Sequence, residues 1–125
     1  MTMVTEPPRL TQVLKLEEDP SFCREEVTVL AGSGTDRVLT LGTIIERNGA
    51  GKVVALTTST ASPYGVLINT VTAPTTSDVT SVAVVRGPAI VSDLGLIYPP
   101  GATASQKTAI NTALAGLGIV VRSGV

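Results

Sequence analysis

Apolar and polar residues alternate in short runs along most of this chain, interrupted by Gly, Pro, Ser and Thr, and that rhythm predicts strands and turns. Glu26-Val-Thr-Val-Leu30 alternates and reads as a strand, with Ala31-Gly-Ser-Gly34 as the turn that follows. Val38 to Arg47 reads as a strand pair, or as one bent strand broken at Gly42. Arg47-Asn-Gly-Ala-Gly-Lys52 places an Asn-Gly turn signal between two β runs, which predicts a hairpin of residues 41–47 with 52–56. Thr57 to Pro63 is too polar for a core and connects to Tyr64-Gly-Val-Leu-Ile-Asn-Thr-Val71. A second polar loop, Thr72 to Asp78, leads to Val79-Thr-Ser-Val-Ala-Val-Val-Arg86. The unbroken apolar centre of that last run predicts a strand buried on both faces.

The period changes near the C-terminus. Residues 104–117 form the one convincing helical stretch: Thr103 is placed as N-cap, and Gln106 three residues on completes a capping box. Ala109 or Ile110, Ala113, Leu114 and Leu117 then share a face, and Gly118 supplies a left-handed exit. Ile119-Val120-Val121 is expected to return as a strand beside that helix.

The N-terminal stretch differs again. Residues 1–22 are Pro-punctuated and charged and read as an extended arm ahead of a β-rich domain at 23–125. The arm holds one apolar island, Leu10-Thr-Gln-Val-Leu-Lys-Leu16. As a helix the island would group Leu10, Val13 and Leu14 but end on Glu17-Glu18-Asp19, where negative charge opposes the helix dipole. As a strand it puts Leu14 and Leu16 on one face and Val13 on the other, which suits pairing along a foreign sheet edge. The strand is the favoured reading; the alternative is an arm that packs on its own subunit or stays disordered.

A chain of 125 residues is about one domain. Its aromatics are Phe22, Tyr64 and Tyr98, so the core must come from Val, Leu, Ile and Ala, and so thin a core favours oligomerisation. The net charge is −1, and six of the ten acids precede Val27. The bases are scattered singly with few aromatics beside them, which argues against nucleic acid as a partner. Cys23 stands alone, so no internal disulfide can form, in keeping with a reducing compartment. No apolar stretch approaches the ~18 residues of a membrane span, and the N-terminus lacks a secretion-signal pattern, so a soluble protein made in the cytoplasm is expected.

Catalytic chemistry finds little to work with. With no His, a Ser/His/Asp arrangement and the usual zinc ligands are excluded. Gly49-Ala-Gly-Lys52 lacks the first Gly and the final Ser/Thr of a phosphate loop, having Glu46 and Val53 there, and the Asn-Gly turn accounts for its glycines. Glu17-Glu18-Asp19 reads as hydrated carboxylates, Asp78 as a turn residue, and nothing in the flanks of Asp78 and Asp93 pairs them. Ser105 and Lys107 do not face each other on a helix. The expectation is a non-enzyme without cofactor or metal.

In order and spacing, Arg24-Glu-Glu-Val-Thr-Val-Leu30, Leu41-Gly-Thr-Ile-Ile45 with Gly51-Lys-Val-Val54, Tyr64-Gly-Val-Leu-Ile68, Val82-Ala-Val-Val-Arg-Gly87, Ile97-Tyr-Pro99 and the Gln106-Lys107 helix ending in Leu117-Gly-Ile-Val-Val-Arg122 resemble the head-decoration, capsid-stabilising family of lambda-type tailed bacteriophages. The resemblance covers about residues 24–122. It implies a mainly β, α+β subunit with one C-terminal helix, a β-clip-like decoration fold, assembled as a homotrimer. It further implies binding to the major capsid protein at three-fold and quasi-three-fold sites of the expanded head, on the outer surface of the virion.

In such proteins the arm adds a strand to a capsid-protein sheet, which makes Leu10, Val13, Leu14 and Leu16 the candidate capsid-binding residues. Ordering six arm residues costs roughly 6–12 kcal/mol. Burying Val13, Leu14 and Leu16 returns about 5–9 kcal/mol, so one arm barely breaks even and three linked arms are needed. A small virion-surface binding module, for example one recognising carbohydrate, is the alternative, although three aromatics equip it poorly. A trimeric enzyme with a shared site is a third reading that the missing His disfavours.

Overall fold

Strands dominate the computed structural model, which describes residues 10–57 and 62–123. In chain order the elements are α1 (Leu10–Val13), β1 (Leu14–Glu17), α2 (Pro20–Cys23), β2 (Arg24–Val29), β3 (Arg37–Leu39), β4 (Ile44–Arg47), β5 (Val53–Ala55), β6 (Gly65–Leu67), β7 (Val71–Ala73), β8 (Val79–Val84), β9 (Ala89–Ser92), α3 (Ala104–Gly116) and β10 (Ile119–Arg122). The two short helices are single turns, so the fold is mainly β with one substantial helix near the C-terminus.

Five strands close into a barrel in the order β2-β5-β4-β6-β8. Its longest ladder is antiparallel β2–β8, from Arg24 opposite Val84 to Val29 opposite Val79. Alternation in these strands decides their faces. Val27 and Val29 of β2, Ile45 of β4, Val53 of β5, Leu67 of β6 and Ala83 of β8 turn inward and form one buried cluster. The β3–β7 ribbon adds Leu39, Val71 and Ala73 to that cluster.

A second core lies on the other side of the same wall. Ile44, Val66 and Val84 point outward from β4, β6 and β8 and pack against Ile110 and Leu114 of α3, Ala89 and Val91 of β9, and Ile119 of β10. The run Ala83-Val84-Val85 therefore feeds both clusters, as its unbroken apolar character predicts. Strand β9 is the centre of a three-stranded sheet, antiparallel to β1 and parallel to β10.

The hairpin forms where Asn-Gly places it, with Arg47 opposite Val53. The Asn48 side-chain oxygen accepts from the backbone N–H of Ala50 at 2.9 Å and of Lys52 at 3.0 Å, which holds the loop closed. Helix α3 is capped as expected: the Thr103 hydroxyl accepts from the Gln106 N–H, and the Gln106 side chain accepts from the Thr103 N–H. Ile110, not Ala109, is the buried residue of its face; Leu117 remains partly exposed. Gly118 has the left-handed φ of 88° that its place after the helix requires.

Two expectations for residues 64–78 are corrected. The run Tyr64–Val71 is not one strand: Asn69 and Thr70 are exposed, and the chain turns from β6 in the barrel to β7 in the ribbon. Strand β7 also takes Thr72 and Ala73, assigned above to the loop. Residues 10–22, expected as arm, are joined to the domain by the β1–β9 ladder; residues 1–9 lie outside the described residues.

Candidate functional site

The island at residues 10–16 is helical in its first half and extended in its second, and the facing expected of the strand is corrected: Leu14 packs with Val13 on the second core, while the irregularity between Leu14 and Leu16 turns Leu16 to the other face. Leu10–Val13 is a helical turn and Leu14–Glu17 is a strand, and that strand pairs within its own subunit. The turn seats Val13 in the second core at 1% exposure. It can do so because Gly42 and Gly95 leave room: a Cβ on Gly95 would lie 2.6 Å from the Gln12 carbonyl oxygen. Leu10 and Leu14 are half-buried against the same cluster. Leu16 is 49% exposed, and of the four candidate residues it alone is exposed.

Two of the three acids that follow are engaged. Glu17 receives both Nε and Nη2 of Arg24 at about the same reach, 2.9 Å, and this hydrogen-bonded partner raises the Arg24 pKa further. Asp19 caps α2, accepting from the Ser21 N–H at 3.1 Å, with Pro20 as the first helical residue. The turn ends by burying the Cys23 thiol 3.7 Å from the Pro88 carbonyl oxygen. Phe22 is left exposed beneath the Arg86 guanidinium, 5.2 Å from the ring centre. Arg86 also pairs with Glu25 at 2.9 Å, and the Tyr64 hydroxyl donates to Glu25 at 2.8 Å. Burial, then the Glu25 carboxylate, push the Tyr64 pKa up.

The register of the three-stranded sheet aligns one aliphatic residue from each strand. Leu16 of β1 stands opposite Ile90 of β9, and Ile90 stands opposite Val120 of β10. Their neighbours Leu14, Val91 and Ile119 face the second core, so Leu16, Ile90 and Val120 form a row on the opposite face. Val120 is 44% exposed. Sequence reasoning named Leu16 as a candidate but not Ile90 or Val120; the alternation in Ile119-Val120-Val121 was visible, but not which parity faced out.

Elsewhere the groups weighed as chemistry serve the fold. Lys52 of the glycine-rich loop lies 2.6 Å from Asp78, which also accepts from the Ala31 N–H at 2.8 Å. Lys107 sits 5.4 Å from the centre of the Tyr98 ring, whose hydroxyl donates to Asn111 at 2.6 Å. Among the described residues no cluster of three or more His, Cys, Asp or Glu is placed to hold a metal ion, and no helix is long and apolar enough to cross a membrane.

No individually curated protein matches the chain. A family model described as bacteriophage lambda head decoration protein D matches residues 3–119, taking in the leading segment, the barrel, α3 and the start of β10. Together with a mainly β fold bearing one C-terminal helix, that match places the chain in the bacteriophage lambda head decoration protein D family, as a structural protein that decorates the capsid of the phage head.

Proposed function

We propose that the protein acts as a homotrimer at the three-fold and quasi-three-fold positions of the expanded head, on its outer surface, after synthesis in the host cytoplasm. There each trimer clamps neighbouring capsomers and stabilises the shell against the pressure of packaged DNA, without touching the DNA. The observation that carries this reading is the family match across residues 3–119. It is supported by a core short of aromatics and by exposed Leu16, Phe22, Val38, Leu94, Ile97 and Val120, apolar surface that a multi-subunit assembly covers.

The partner in this reading is the major capsid protein, and the capsid-facing part is the leading segment. Leu10, Val13 and Leu14 fix that segment to its own subunit, and Leu16 is offered outward.

Light scattering on the purified protein, combined with co-sedimentation against expanded and unexpanded heads, tests the proposal. A mass of three subunits and selective pelleting with expanded heads are expected. A monomer with no affinity for expanded heads overturns it.

A further inference from the structure

We propose that the shell protein seats on the outer face of the β1-β9-β10 sheet, with Leu16, Ile90 and Val120 as the apolar centre of the contact. This rests on the head-decoration reading above and names the surface through which it operates.

Three observations converge on that face. First, the row is continuous across all three strands, one aliphatic side chain from each, on the face turned away from the protein's own core. Leu94, 75% exposed, lies in the turn directly after β9, and the N–H of its neighbour Asp93 donates to the Arg122 carbonyl of β10. Exposed aliphatic surface thus continues at one end of the same sheet.

Second, both ends of the described chain leave from this sheet. Leu10 opens the turn that runs straight into β1, and Arg122 closes β10. The nine residues ahead of Leu10 therefore set out from this sheet and span at most about 30 Å when extended.

Third, the rim is charged. Arg122, two residues beyond Val120 and so on its face, is exposed, as is Lys15 at the irregularity in the β1–β9 ladder. Glu18 lies at the opposite end, its N–H donating to the Pro88 carbonyl. Asp93 shares the Lys15 and Arg122 end, so the fitting surface is an apolar patch bordered by charges of both signs.

A second copy of this chain is a poorer occupant. Three aliphatic side chains fall well short of the roughly 1,200 Å² of buried surface that a stable pair of subunits needs. A shell engaged by several linked copies at once makes use of contacts too weak to hold singly.

The experiment is co-sedimentation of the full chain with purified expanded heads, for wild type, Leu16→Asp, Val120→Asp and Arg122→Gln, with Thr80→Asp on the uncovered outer barrel face as control. Melting curves and light scattering accompany each, and Leu16→Ala and Val120→Ala stand in if the aspartates fail to fold. Expected are at least tenfold weaker binding for both row variants, unchanged oligomeric state, a shallower salt dependence for Arg122→Gln, and wild-type binding for Thr80→Asp. Wild-type binding by folded row variants overturns the inference while leaving decoration standing. A change of oligomeric state in the row variants also overturns it, since the face is then a subunit interface. A wild-type protein that does not bind heads sinks the decoration reading and this inference with it.

Discussion

Gly95 faces Val13 so closely that a methyl group in place of its hydrogen would lie 2.6 Å from Val13 Cγ2. The leading segment therefore owes its place on the domain to a missing side chain 82 positions away in the sequence. Gly95→Ala is expected to cost about 1–3 kcal/mol through overpacking. Hydrogen exchange should show the loss first in the amides of β1, while those of the β2–β8 ladder keep their protection. Uniform loss across both would mean that β1 is not a separately releasable element.

Acid should loosen one end of the barrel. Asp78 is held below its ordinary pKa of 3.8, first by the hydrogen bond from Lys52 and then by that from the Ala31 N–H. Because the folded value is the lower one, the stabilisation is complete above the unfolded value and fades as pH falls through the folded value. Asp78→Asn should therefore melt below wild type at neutral pH, with the gap closing below about pH 4. Melting temperatures between pH 2 and 7 for both proteins check this; a constant gap counts against the linkage.

Helix α3 offers a graded pair of substitutions. Thr103→Ala removes the acceptor for the Gln106 N–H and should cost about 0.5–2 kcal/mol. Ile110→Ala empties a fully buried site between helix and barrel and should cost about 2–5 kcal/mol. Urea denaturation of the two variants should rank them in that order. Equal costs would indicate that the cap, not the packing, holds the helix in place.

Features set by neighbours in the chain were legible. Asn48-Gly49 located the hairpin, Thr103 and Gln106 the start of α3, and the apolar run around Ala83 a strand with two buried faces. Features set by distant partners were not. Nothing near Leu14 announces that Val91 lies opposite, and nothing near Val38 announces Thr72. The island at 10–16 misled because its signals change within seven residues: Val13 belongs to a turn whose room is made by Gly42 and Gly95, while Leu16 belongs to a ladder with β9. Asp19-Pro20 carried a readable helix-start signal, yet the charge run Glu17-Glu18-Asp19 drew attention from it.

Strands β4, β6 and β8 are party walls, plastered with side chains on both sides. Neither compartment can empty without exposing the partition it shares, so the molecule should melt in a single step. For a protein that decorates a phage head that is a useful property: β9, β10 and α3 cannot part from the barrel without laying bare the wall they share with it.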